Sequence, residues 1–312
     1  MVEPKVVAVT GGRAVLARQE GRRRLNPESM FFSPARCRAP VELSGRDAYN
    51  ALVSMSTVVL QRPSDSTVGA LPGATLMPAE EGKRPTHALA RALERGPDDK
   101  RTALVVAADD AGKIADWLLS PEGGLRRVFL CSERALMERH AFMFSERMLK
   151  LGDQEFPSEI IPGLYLGSRA CARNAAALEL LGVTEVISVV SHEFTLEHIA
   201  PERHLWLEAD DDDTWDMTPV WDAALPTIAA ALAAGRKLLV HCERGASRSV
   251  AVVCAHLLVN GSAHDVYDAL RQVSVCRPCA QPNPGFLQQL RELEARTTGA
   301  EVEVPSLSLA LE

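Results

Sequence analysis

No apolar run in this chain approaches the roughly 20 residues that cross a bilayer. The longest, rich in alanine, covers residues 227–234, so neither a membrane span nor a membrane partner is expected. Positive charge is also in short supply: 34 Lys and Arg stand against 41 Asp and Glu, a net charge of -7. That balance offers no basic footprint for nucleic acid and no polybasic anchor for a lipid surface. The opening MVEPKVVAVTGG has no charged segment followed by a long apolar stretch and a small-residue cleavage site. A cytoplasmic or nuclear protein is therefore expected. A disulfide framework is missing too. The cysteines, at 37, 131, 171, 242, 254, 276 and 279, are odd in number and scattered through a chain long enough to fold without staples, which fits a reducing compartment. Cys276 and Cys279, in "CRPC", have metal-ligand spacing, but a zinc site needs a second pair close by and none is evident. Neither metal nor cofactor is expected.

What the chain does have is ordinary globular composition, 46% hydrophobic over 312 residues, more than one core needs. Two α/β domains are expected. Residues 1–40 are basic and irregular, including "GRRRLNPES". An amphipathic helix is predicted over 41–52, a β-branched strand over 56–65, a helix over 87–95, and a buried strand with its turn over 102–112. A helix at 116–119 and a strand at 126–131 follow. Strands alternating with helices imply a parallel sheet. A polar linker, 150–159, leads to a second alternating series. It opens on residues 160–168; its strands are at 183–191, 203–209 and 236–242, and its helices at 173–181, 219–234 and 249–259. Residues 298–312 read as a flexible tail.

The segment "LPGATLMP" in the first half resembles the "IPGA…P" segment of rhodanese-type domains, placing a rhodanese-like α/β domain over 41–149. An active rhodanese carries a cysteine in the loop that here reads Ala107-Ala108-Asp109-Asp110-Ala111-Gly112. With no thiol there the domain is degenerate, and binding or regulation is expected of it rather than sulfur transfer.

In the second half, "LLVHCERGASRSVAV" places Cys242 between an apolar strand and an apolar helix. A loop of small residues there turns backbone N–H groups inward at the positive end of a helix dipole, a site for a dianion such as phosphate. Glu243, Arg244, Gly245, Ala246 and Ser247 form this cradle. Gly245 permits a backbone geometry that a Cβ would obstruct, and Arg248 offers a planar fork for two phosphate oxygens. The same field stabilises Cys242 as a thiolate nucleophile. His241 orients the loop, and Ser249 can donate to the sulfur. Expelling an alcohol or phenol from phosphate also requires a general acid upstream.

His-Cys-x5-Arg-Ser resembles the signature of the dual-specificity branch of cysteine-dependent protein phosphatases. "IIPGLYLGS" resembles that family's opening segment and "CAQPNPGFLQQLRELE" its closing helix, so the resemblance covers residues 159–297. It implies a mostly parallel central sheet flanked by helices and a general acid about thirty residues before the cysteine. Within Asp210-Asp211-Asp212-Asp213 that position is Asp211, with Asp212 next. Mutual repulsion in this run is expected to raise one carboxyl pKa. The resemblance also gives Asn283 the task of buttressing the phosphate loop. Glu243 and Arg244 depart from the lysine-rich pattern of related lipid phosphatases, and an acidic Glu243 is expected to disfavour inositol head groups. A rhodanese-like domain followed by such a catalytic domain resembles the MAP kinase phosphatases and a related serine/threonine/tyrosine-interacting-like pseudophosphatase. The implied partner is a phosphorylated protein, a MAP kinase among the candidates. "RRRL" at Arg22 to Leu25 reads as a solvated basic turn. The alternatives are a phosphoprotein-binding regulator without turnover and a phosphatase of a non-protein substrate.

Overall fold

The computed structural model describes residues 39–54, 58–62, 69–71, 74–76, 102–107, 111–121, 125, 127–151 and 154–298. The basic segment with Arg22 to Leu25, the helix expected over 87–95, residues 108–110 of the loop lacking a thiol, and the C-terminal tail beyond 298 lie outside them. The described residues belong to one compact unit.

The first half builds an all-parallel sheet from β1 (Val41–Glu42), β2 (Val58–Arg62), β3 (Thr75–Leu76), β4 (Thr102–Ala107) and β5 (Arg127–Ser132). Their spatial order is β1-β5-β4-β2-β3. Between and after these strands come α1 (Gly45–Ser54), α2 (Ala111–Leu119), α3 (Glu133–His140) and α4 (Glu146–Leu151). The helix expected from residue 41 begins later. Val41 and Glu42 pair with Phe129 and Leu130 as an edge strand, and Ser44 starts the helix by exchanging hydrogen bonds with Asp47, a reciprocal cap.

The second half supplies β6 (Ser158–Ile161), β7 (Leu164–Gly167), α5 (Arg169–Arg173), α6 (Ala175–Leu181), β8 (Val183–Val190) and β9 (His204–Glu208). The chain continues through α7 (Thr218–Ala233), β10 (Lys237–His241), α8 (Arg248–Val259), α9 (Val266–Cys276) and α10 (Pro284–Thr298). The strand order is β6-β7-β10-β8-β9, parallel except for β6 against β7. The helix expected over 173–181 begins at Ala175, because Asn174 ends a separate short helix, α5, and its side chain accepts from Ala177 N to cap α6.

β10 occupies the centre of this sheet, with Leu238, Leu239 and Val240 fully buried. Helix α8 is buried from Arg248 through Leu258, which explains why its sequence is apolar all round. Each fully buried Val or Leu contributes about 1.5–3 kcal/mol. A strand and a helix anchored this firmly fix both ends of the loop between them.

Where the two sheets meet, the edge strand β6 is covered. Asn50 donates to Glu159 O and accepts from Glu159 N, both at 2.8 Å, so one side chain stands in for a neighbouring strand. Arg46 donates to Ile160 O and Tyr49 to Pro157 O, all from one face of α1. Ser158 and Glu159, expected in a polar linker, are therefore sheet residues. Glu159 is buried because Arg139 grips its carboxylate with two hydrogen bonds, at 3.0 and 2.7 Å.

Candidate active site

Residues 242–247 join β10 to α8, and their carbonyls are tied down from outside. Cys242 O accepts from His241 Nδ1, Glu243 O from Arg169 N and Ala246 O from Gln281 N. Arg277 takes two more, donating through Nε to Gly245 O at 2.8 Å and through Nη2 to Arg244 O at 3.2 Å. In a planar trans peptide the N–H points opposite to the C=O, so the amides of this loop face inward. Gly245 N shows it directly, donating to Cys242 Sγ at 3.2 Å. Gly245 has φ +68°, and a Cβ there would lie 2.4 Å from Gly167 O and 2.7 Å from Arg277 Nη2. Only glycine fits that close approach.

Ser247 occupies the position before α8 yet does not cap it. Its hydroxyl donates to Asp211 Oδ1 and accepts from Asn283 N. The first-turn amides of α8 are thus left for another acceptor, the arrangement in which a helix N-terminus receives an anion.

Burial pushes the Cys242 thiol up. The Ser249 hydroxyl and amide, the Arg248 guanidinium and Gly245 N outweigh it and hold the thiol below its usual value. Ser249 Oγ donates to the sulfur at 3.2 Å. Four other buried thiols go the opposite way, because burial outweighs the few donors near them. Cys131, Cys254 and Cys276 are pushed up to about 12 and Cys171 to about 11.

Arg248 is 7% exposed and is fixed by Nη1 donating to Ala209 O at 3.0 Å and Ser191 Oγ at 3.3 Å. Its buried Nε has no hydrogen-bond partner among the described residues. Asp211 Oδ2 is 3.9 Å from that nitrogen, and Asn283 Nδ2 donates to Asp211 Oδ1 at 3.1 Å. Sulfur and carboxylate therefore both lie near the one guanidinium. Asp212 turns elsewhere, accepting from Thr214 Oγ1 and N, and these bonds hold its carboxyl below the usual range. At Asp212 the local turn outweighs the repulsion expected to raise a pKa in this run.

His241 is fully buried, and burial lowers its pKa to about 4, so the ring is neutral. Since Cys242 O can only accept, Nδ1 carries the hydrogen. The bare Nε2 then accepts from Ser188 Oγ at 2.6 Å, and Ser188 accepts from His204 Nε2 at 2.7 Å. This chain orients the loop, and the neutral ring is not a proton donor for the reaction near neutral pH. Glu243 is ion-paired with Arg169 at 3.0 Å. Its charge is compensated, which weakens the expected repulsion of polyanionic head groups.

Arg277 was not among the expected site residues. It lies in "CRPC", whose cysteines suggest a metal, but Cys276 is buried and Cys279 exposed. Among the described residues no cluster of three or more His, Cys, Asp or Glu could hold a metal ion. In the structure Arg277 is 5% exposed, and no signal in the sequence marked it. Its charge is met by Glu155 Oε1 at 3.1 Å. Gly285 and Gln289 were also missed. A Cβ on Gly285 would lie 1.7 Å from Asp213 O, so α10 rests directly on the backbone of the acidic loop. Gln289 bonds that loop's continuation at Trp215 O and Met217 N.

Residues 164–296 match the family model described as the dual specificity phosphatase catalytic domain. Over 144 residues the chain is 35% identical to dual specificity protein phosphatase 1 of Arabidopsis thaliana, covering 46% of this chain and 71% of that protein. The chain belongs to the dual-specificity phosphatase family. It is also 34% identical over 162 residues to protein phosphatase Slingshot homolog 3 of Homo sapiens, covering 50% of this chain and 23% of that protein. It therefore spans about a quarter of that relative's length. A crystal structure of human DUSP28 shares 30% identity, covering 46% of this chain and 99% of that one, with a TM-score of 0.42. No described helix is long and apolar enough to cross a membrane.

Proposed function

We propose that the chain is a protein phosphatase that hydrolyses phosphotyrosine and phosphoserine or phosphothreonine through a cysteinyl-phosphate intermediate. The observation that carries this is the Cys242 thiol, 1% exposed yet held below its usual pKa by donors that also form an anion cradle. The substrate phosphate sits among the loop amides, with Arg248 Nε on an equatorial oxygen. Cys242 Sγ attacks phosphorus in line as the bond to the leaving oxygen breaks, and Asp211 protonates that oxygen. Water then attacks phosphorus, Asp211 takes its proton, and the thiolate departs with Ser249 donating to it.

Hydrolysis of a small aryl phosphate near pH 6, followed by phosphopeptides, tests this. Cys242→Ser abolishes turnover. Asp211→Ala reduces kcat by about 10²-fold or more on poor leaving groups, the scale of general acid catalysis. Phosphopeptide binding by folded wild type with no turnover would instead make it a reader of phosphate. The first half, as a degenerate rhodanese-like domain over 41–149, is assigned docking or regulation, with a MAP kinase among the candidate substrates and the cytoplasm or nucleus as the setting. Its support is the sequence likeness to proteins of that layout.

A further inference from the structure

Beside the cysteine loop lies an open groove of about 810 Å³, lined by Glu155, Arg169, Arg173, Asn174, Glu243 and Arg244 among others. Arg169 and Arg173 both lie over the ring of Phe194, their Cζ atoms 5.0 and 5.4 Å from its centroid. Cation–π contact of this kind orders long side chains that would otherwise be mobile. Phe194 is itself buried, and its ring packs edge-on against His241 at 5.1 Å. The two guanidiniums are therefore placed relative to the residue preceding Cys242.

The charges of the groove do not cancel. Three arginines face two glutamates. Glu243 is matched by Arg169 and Glu155 by Arg277. Arg173 and Arg244, both exposed, have no carboxylate partner among the described residues. Arg244 belongs to the phosphate loop, so the uncompensated charge begins where the cradle ends. A peptide whose phosphorylated side chain entered the loop would lay its neighbouring residues across this groove.

Resting on the reading of Cys242 as a phosphopeptide site, we propose that the groove is a subsite for an anionic side chain next to the phosphorylated residue. Arg173 and Arg244 would receive it, whether carboxylate or second phosphate. Glu243 lines the same groove but is already paired with Arg169, so what the groove favours is a negative charge set beside Arg173.

The full chain and its Arg173→Gln and Arg173→Glu variants are assayed on three phosphotyrosine peptides, alike except for flanking glutamates, a flanking phosphothreonine, or flanking glutamines. An aryl phosphate and an inositol polyphosphate complete the set. Wild type favours the glutamate peptide over the glutamine peptide by about fivefold in kcat/KM, the scale of one or two exposed charge pairs, and favours the doubly phosphorylated peptide by more. Added salt shrinks both preferences. Arg173→Gln brings them close to parity and Arg173→Glu inverts them. The comparison among peptides on wild type stands even if a variant fails to fold. Equal kcat/KM for all three peptides, a preference untouched by Arg173→Glu, or a preference for the inositol polyphosphate over both acidic peptides overturns the subsite. Failure to hydrolyse even the aryl phosphate overturns the phosphatase reading and the subsite with it, a result distinct from hydrolysis without flank preference.

Discussion

At the sulfur of Cys242, burial and hydrogen bonding act in opposite directions and the hydrogen bonds win. Desolvation alone would make this thiol as inert as Cys254, which is fully buried in the same helix-and-loop region and pushed up to about 12. The difference comes from Ser249, Arg248 and Gly245. A lowered pKa means that the thiolate persists to lower pH, so removing a donor must move the titration upward. Ser249→Ala shifts the pH midpoint of Cys242 alkylation upward by about one unit, since a hydrogen bond to a charged group is worth about 1.5–3 kcal/mol and one pKa unit about 1.4 kcal/mol. Iodoacetamide kinetics as a function of pH measure it. An unchanged midpoint would mean that the Ser249 hydroxyl does not stabilise the sulfur. The pattern around Cys242 was legible in the sequence because its residues are near neighbours and their chemistry is local. Arg277 was not, because its partners Gly245 and Glu155 are 32 and 122 positions away, and nothing in "CRPC" announces a loop two elements upstream.

Between elements, the contact that matters most for the proposed acid is that of α10 with the acidic loop. Asn283, Gly285 and Gln289 hold Asp211, Asp213 and the turn at Trp215 from one end of one helix. The "PNPGF" string marks this helix in the sequence, but its glycine looks like any helix-start glycine until Asp213 O is seen 1.7 Å from where a Cβ would be. Gly285→Ala must displace that backbone and Asp211 with it. The expected outcome is a kcat loss of about tenfold or more on a substrate with a poor leaving group, and little change on an activated aryl phosphate, whose departure needs no proton. Cys242 alkylation stays normal, because the loop's own supports, Arg277 and Arg169, are untouched. Equal losses on both substrates would point to a general folding defect.

Across the whole molecule, the described parts of the two sheets are joined through Glu159. Burial pushes its carboxyl up, but the His140 ring 3.5 Å away and the Arg139 guanidinium hold it down, to about 2. This was not legible beforehand: a glutamate at the end of "GDQEFPSE" reads as linker, and only α1 and α3 packing on β6 turns it into an interior charge. Glu159→Gln leaves Arg139 without its carboxylate. Because Arg139 is partly exposed, its side chain at 38%, the cost is about 2 kcal/mol, below that of a wholly buried pair. The contribution of this carboxylate is present above about pH 4.5 and lost as pH falls toward 2, since the unfolded chain binds the proton first. Urea unfolding should therefore show wild type ahead of the variant at pH 7, with the gap narrowing below about pH 4.5. A gap independent of pH would mean that packing, not charge, accounts for the loss.

The measurement that decides most is rapid-quench reaction of wild type and Cys242→Ser with an activated aryl phosphate, with the quenched chain digested and weighed. A cysteine phosphatase releases leaving group in a burst, carries one phosphoryl group on the peptide containing Cys242, and accumulates more of it in Ser249→Ala, where the thiolate departs less readily. Cys242→Ser gives neither burst nor phosphoryl peptide. Steady turnover with no phosphoryl group on that peptide, or turnover that survives Cys242→Ser, would contradict the covalent mechanism.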